Sequence, residues 1–224
     1  MTFKTKFVVP AALLLASIGA QAQFTRLKGA TVAVSATGEF DTPITDNASP
    51  VIAAVPTVGG GFINQTISAQ ANNATTKPGV LATFGFHPVA WAGVELNYQF
   101  AQYDETYFFA YGSTPAVGYQ IRVPVAFHEA TAAYQFHPKH IKFQPFVNIG
   151  GGAVDFLPYL ANNQWRAAGL VETGFDIPTK NPHIAIRIQG RALIYRIPNF
   201  NNPGFSTRNW RVTSEPTAGL VYRF

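Results

Sequence analysis

From Gly29 onward, apolar side chains recur at every second position rather than at the spacing of a helix face, and the pattern returns in eight segments between turn residues. In the first, Val32, Val34 and Ala36 alternate with Thr31, Ala33, Ser35, Thr37 and Glu39. The second sets Val80, Ala82, Phe84 and Phe86 against Leu81, Thr83 and Gly85, and the third sets Ala92, Val94, Leu96, Tyr98 and Phe100 against Gly93, Glu95, Asn97 and Gln99. The fourth runs from Ala126 to Phe136, with Glu129, Thr131 and Gln135 on its polar side, and the fifth from Ile141 to Ile149, with Lys142, Gln144 and Asn148. The sixth spans Ala167 to Ile177 and carries Glu172 and Asp176. The seventh sets Ile184, Ile186, Ile188 and Ile194 against Arg187, Gln189 and Arg191, and the eighth alternates from Glu215 to Phe224.

Each segment has about the 9 to 11 residues that a tilted strand needs to cross a bilayer. The links carry separate information. His87 to Ala90, His137 to His140 and Pro178 to His183 are tight turns, whereas Asp41 to Lys77, Tyr103 to Ile121, Leu157 to Trp165 and Pro198 to Asn209 are longer. Long and short links alternate strictly, so an up-and-down meander collects the long ones at one end. The expected fold is all-β: an eight-stranded antiparallel transmembrane β-barrel with short periplasmic turns and long extracellular loops.

Period-two alternation does not by itself say which face is inside, since a soluble barrel shares it. The aromatics decide: Phe86, Tyr134, Phe136, Phe143, Phe175, Tyr222 and Phe224 share the apolar phase and sit beside the short turns or the C-terminus, as an interfacial girdle would. The apolar face is then turned to lipid. An eight-stranded lumen is only wide enough to be filled by side chains, and Glu39, Glu95, Glu129, Glu172, Asp176 and Glu215 share it with Lys142, Arg187, Arg191 and Arg223. His128 falls in the lipid-facing phase and is the main exception; either it sits close to the outer interface or the register slips near it.

The N-terminus reads as a secretory leader: Lys4 and Lys6 precede an apolar run from Phe7 to Ile18 and the small-x-small site Ala20-Gln21-Ala22. Those roughly 12 positions fall short of the roughly 20 that span a membrane as a helix. Cleavage after Ala22 leaves 23–224 as one barrel domain and takes two lysines from a formal charge of +5, too weak a balance to indicate nucleic acid. Cysteine is absent, which excludes thiolate metal sites, disulfides and a cysteine nucleophile. Charged residues make up 12% against 14% aromatics, about half the charge usual in a soluble domain.

With this strand map the chain resembles the small OmpA/OmpX-type outer-membrane β-barrel family along its mature length. The resemblance rests most on the ending Ala218-Gly219-Leu220-Val221-Tyr222-Arg223-Phe224 and on the hairpin around Gly93-Val94-Glu95-Leu96-Asn97-Tyr98. It implies a bacterial outer-membrane location and recognition of Leu220, Tyr222 and Phe224 by the barrel assembly machinery. It further implies a monomer in contact with outer-membrane lipid and lipopolysaccharide. No OmpA-type wall-binding domain is expected after Phe224.

Candidate chemistry is sparse. His87, His137, His140 and His183 lie at the short turns, and their plain reading is turn decoration rather than a metal centre. Barrel deacylases place a His two residues before a Ser; here His128 is followed by Glu129 and Ala130, and Ser113, Ser206 and Ser214 have no His nearby in sequence. Gly59-Gly60-Gly61 lacks the lysine and helix of a phosphate loop and reads as flexible within a loosely ordered first loop. Tyr103, Tyr107, Phe108, Phe109 and Tyr111 read as strands continuing above the membrane. The expectation is a non-enzymatic barrel without cofactor, metal or catalytic residues, with loops available for ligand or surface contact. A narrow porin-like channel and a lipid A-modifying enzyme are the alternatives.

Overall fold

The computed structural model describes residues 29–46, 51–56, 60–76, 78–111, 118–138, 143–159, 162–200 and 209–224. The leader assigned to 1–22, and Lys142, His140, Ser113 and Ser206, lie outside the described residues. Every regular element described is a strand: β1 (Ala30–Gly38), β2 (Phe40–Asp41), β3 (Ile44–Asp46), β4 (Val51–Pro56), β5 (Phe62–Ala74), β6 (Pro78–Val89), β7 (Ala92–Tyr111), β8 (Gly118–Phe136), β9 (Pro145–Pro158), β10 (Gln164–Pro178), β11 (Ile184–Arg196) and β12 (Trp210–Arg223).

Eight of these close into a ring, each antiparallel to both neighbours: β1, β6, β7, β8, β9, β10, β11 and β12, with β12 returning to β1. The closing seam runs from Thr31 opposite Arg223 to Thr37 opposite Thr217, and on its other edge β1 runs from Ala30 opposite Phe86 to Gly38 opposite Pro78. Closure pairs the backbone groups of the wall without leaving an edge, the condition for placing strands in hydrocarbon.

Alternation sets the two faces. Ile186, Ile188 and Ile194 are exposed on the outside of β11, while Arg187, Gln189 and Arg191 between them are buried inside. The same holds around the ring, where Phe84, Leu96, Tyr134, Ile149, Val171 and Leu220 all point outward. Phe86, Trp91, Phe136, Phe143, Phe175 and Tyr222 form an outward aromatic belt at the short-turn end; Phe40, Tyr159, Trp165 and Trp210 face outward near the opposite end.

Two expectations need correction. The first long link is not loosely ordered throughout: β4 and β5 form a hairpin, from Val51 opposite Ile67 to Pro56 opposite Phe62, with Gly60 at positive φ in the turn. β5 then occupies the edge of β7 above the point where β6 leaves it, from Ile67 opposite Tyr111 to Ala74 opposite Glu105. The fifth crossing strand begins at Pro145, not Ile141, and runs on to Pro158. Gln144, at φ 41°, breaks the extended backbone just before it. The register near His128 does not slip, since β7 and β8 pair without a break from Ala92 opposite Phe136 to Ala110 opposite Gly118.

Candidate functional site

The inward phases bring the charged side chains into the lumen in three tiers. In the tier nearest the short turns, Arg187 of β11 donates from Nε to Asp176 Oδ1 at 2.8 Å and from Nη1 to Glu95 Oε1 at 2.7 Å, with its guanidinium 4.6 Å from the centre of the Phe146 ring. Arg223 reaches Asp176 Oδ2 at 3.3 Å from the rim. Gln135 Nε2 donates to Glu95 Oε1 at 2.9 Å, and Asn148 Nδ2 bridges Glu95 Oε2 at 2.7 Å and Glu172 Oε2 at 2.5 Å, tying this tier to the next.

The middle tier is organised by Arg191, whose side chain has no exposed surface. Nε donates to Glu172 Oε1 at 2.5 Å, Nη2 to Glu129 Oε1 at 2.5 Å, and Nη1 to Glu215 Oε2 and Gln99 Oε1, both at 2.6 Å. One guanidinium on β11 thus ties β7, β8, β10 and β12 across the axis, which the rigid fork of arginine permits and a lysine ammonium does not. Gln99 Nε2 passes the network on to Glu39 Oε1 at 2.8 Å and to Glu215 Oε1 at 3.1 Å.

The external tier adds Arg211, Glu105 and Asp41, which are not among the lumen charges expected from the sequence. Arg211 of β12 donates from Nη1 to Glu105 Oε1 at 2.5 Å, with Asp41 Oδ2 3.8 Å away, and Tyr195 Oη lies 2.9 Å from Thr213 Oγ1. Around it Phe127 meets Phe156 edge-on and Phe156 meets Tyr195 at a tilt, each pair with ring centroids 5.4 Å apart, and Tyr103, Tyr107, Leu193 and Phe200 complete a buried apolar plug. Continuing the inward phase of the third segment past Tyr103 reaches Glu105, and running the eighth segment backwards from Glu215 reaches Arg211. The signal was present beyond the assigned ends.

Of the residues assigned to the lumen, Glu39, Glu95, Glu129, Glu172, Asp176, Arg187, Arg191 and Glu215 are buried inside it, and Arg223 lies partly exposed at its rim. Leu220 and Tyr222 face outward on β12, and the Tyr222 ring meets that of Phe224 edge-on with centroids 5.0 Å apart. Ser214 is on the outer surface of the wall, opposite Ala192 and Phe40. His128 also faces outward, bonded to the Tyr98 hydroxyl.

Below the first tier a cavity of about 750 Å³ opens at the short-turn end, lined by Gly29, His87, His137, Gln144, Asp176 and Arg223 among others. Burial, assisted by the neighbouring His87, pushes the His137 imidazole down to about 4.

A closed ring of eight strands with an apolar outer wall and a polar, side-chain-filled lumen defines an outer-membrane β-barrel. No protein-family model matches the chain, and no curated protein sequence matches it. Among solved structures it is similar to the outer membrane protein OprG from Pseudomonas aeruginosa, at 13% identity and a TM-score of 0.53 over 88% of this chain and 96% of that one. It is also similar to Neisserial surface protein A, NspA, at 9% identity and a TM-score of 0.52 over 88% of this chain and 98% of that one. Both likenesses are of fold, and they agree with the small-barrel resemblance read from the strand pattern.

Proposed function

We propose that this outer-membrane barrel is non-enzymatic and serves as a sealed envelope scaffold that presents its external strands and loops for contact with lipopolysaccharide, ligands or surfaces. The observation that carries the reading is Arg191, fully buried on the barrel axis and held by acceptors from four other strands. A solute path would have to part these ion pairs, and breaking a buried pair costs about 3–5 kcal/mol. The external aromatic plug is a second obstruction.

The outer wall supports the lipid part of the proposal, since Trp165, Trp210 and Tyr159 project outward where the strands leave the apolar band. Leu220, Tyr222 and Phe224 are offered to the assembly machinery as the outward edge of the last strand, and the chain acts as a monomer. Planar-bilayer recording of the refolded protein tests the seal. Brief or absent openings are expected, and large steady channels would replace this reading with a porin-like one. Unchanged lipid A acyl chains on overexpression are expected; altered chains would indicate an enzyme.

A further inference from the structure

We propose that His87 and His137 form a binding site for a borderline divalent transition metal, Cu²⁺, Ni²⁺ or Zn²⁺, in the periplasmic mouth of the barrel. His87 follows the inward phase of β6 and His137 that of β8. Their rings meet with centroids 5.1 Å apart, and the Nε2 atoms of both are directed at one point, the Gln135 Oε1 atom, 2.9 Å from His137 Nε2 and in closer contact with His87 Nε2. An ion drawn into that point, with the Gln135 oxygen moved back from its close contact with His87 Nε2, meets both imidazole nitrogens and keeps the oxygen within reach. Imidazole suits Zn²⁺, Ni²⁺ and Cu²⁺, with Cu²⁺ the tightest of the series.

The ring of His87 is fixed by its neighbours on the side away from the cavity. Its Nδ1 lies 3.3 Å from the Gly29 carbonyl oxygen, the outer contact that a metal-ligating histidine commonly makes, and this leaves Nε2 as the coordinating atom. Gly85 and Gly93 form the slot in which the ring lies: a Cβ at Gly93 would come 2.4 Å from His87 Cδ2, and one at Gly85 would come 3.1 Å from His87 Cε1. Gln135 is anchored by its Nε2 contact with Glu95, so its carbonyl oxygen faces the two rings as a third donor.

Among the described residues no set of three His, Cys, Asp or Glu converges. The site therefore comprises two imidazoles and an amide oxygen, with the remaining positions open to water from the cavity that His87 and His137 line. Nearby charge is balanced, since Arg187 and Arg223 are paired with Glu95 and Asp176.

The test is titration of the full-length folded barrel in detergent with ZnCl₂ by calorimetry and with CuCl₂ by electron paramagnetic resonance. One ion per barrel is expected, with hyperfine structure from two nitrogens. His87→Ala and His137→Ala should each weaken binding about a hundredfold, and Gly93→Ala, which removes no ligand but fills the slot, about tenfold. His183→Ala should bind as wild type does, because that ring is held apart by the Arg223 carbonyl and Tyr222. Heat-dependent gel mobility verifies that each variant is folded. Absence of binding by the wild type, a spectrum without nitrogen ligands, or undiminished binding by the folded His87→Ala/His137→Ala double variant would each overturn the site.

Discussion

The Tyr98 hydroxyl lies 2.7 Å from His128 Nδ1 across the β7–β8 ladder, on the lipid-facing surface of the wall. The Phe100 ring covers the same imidazole with centroids 5.0 Å apart. A histidine in the apolar phase is thereby partnered from within the wall. Removing that partner leaves a polar nitrogen against lipid, so Tyr98→Phe should lower stability by about 1–3 kcal/mol. Tyr98→Phe/His128→Phe should recover most of the loss, because both polar groups are then gone. Urea midpoints in phospholipid vesicles measure this, and a Tyr98→Phe barrel as stable as wild type would show that the bond contributes nothing.

Arg191 supports a larger effect. Its removal strands Glu129, Glu172 and Glu215, each within 2.6 Å of a guanidinium nitrogen and all buried. Arg191→Met should therefore cost about 3–5 kcal/mol. Arg191→Lys should fall between the two, since an ammonium cannot span the same acceptors. Adding Glu129→Gln and Glu215→Gln to Arg191→Met should restore part of the loss by removing unpaired charge. Equal midpoints for wild type and Arg191→Met would mean that water replaces the guanidinium without penalty.

The eight crossing segments and their inward phases were legible because a bilayer demands an apolar outer face and a narrow lumen admits polar side chains. Strand ends were not legible in the same way. The aromatics from Tyr103 to Tyr111 did mark the continuation of β7 above the membrane, but there the outer face is free to be polar, so the inward phase that carries Glu105 loses its contrast. β5 is set by pairing with β7 across more than thirty residues of chain, which local periodicity does not record. The start of β9 was missed because its break lies at Gln144, a residue that gives no hint of the left-handed backbone it adopts. His87 and His137 were visible as turn residues, but their convergence depends on the β6–β7 and β7–β8 registers together.

Glycines in the wall divide into two kinds, and substitution separates them. A Cβ at Gly152 would lie 2.1 Å from the Ala130 carbonyl oxygen of β8, whereas one at Gly190 meets nothing within 4 Å. Gly152→Ala must push β9 away from β8, an overpacking that should cost about 1–3 kcal/mol. Gly190→Ala adds a methyl to open space and reduces the freedom of the unfolded chain, which should raise stability by about 0.4–1 kcal/mol. Urea unfolding of both variants gives the comparison, and a destabilised Gly190→Ala would contradict the open space beside it.

At the external end, Gln164 holds Asn199 and Phe200 against the barrel. Its Oε1 accepts from the Asn199 amide at 2.8 Å and the Phe200 amide at 2.9 Å, while Nε2 donates to Asn199 Oδ1 at 2.8 Å. This clasp keeps Phe200, at φ 46°, packed against the aromatic plug. Gln164→Ala removes all three bonds, each contributing about 0.5–1.5 kcal/mol, and should expose the chain after Ile197 to limited proteolysis while the barrel stays resistant. Conductance should remain closed in that variant, because the Arg191 tier still spans the lumen below the plug. Gln164→Ala combined with Arg191→Ala should also stay closed, because Arg187 with Glu95 and Asp176 and the Phe127, Phe156 and Tyr195 rings still fill the lumen. Steady channels from Gln164→Ala alone would place the seal in the plug rather than in the ion pairs.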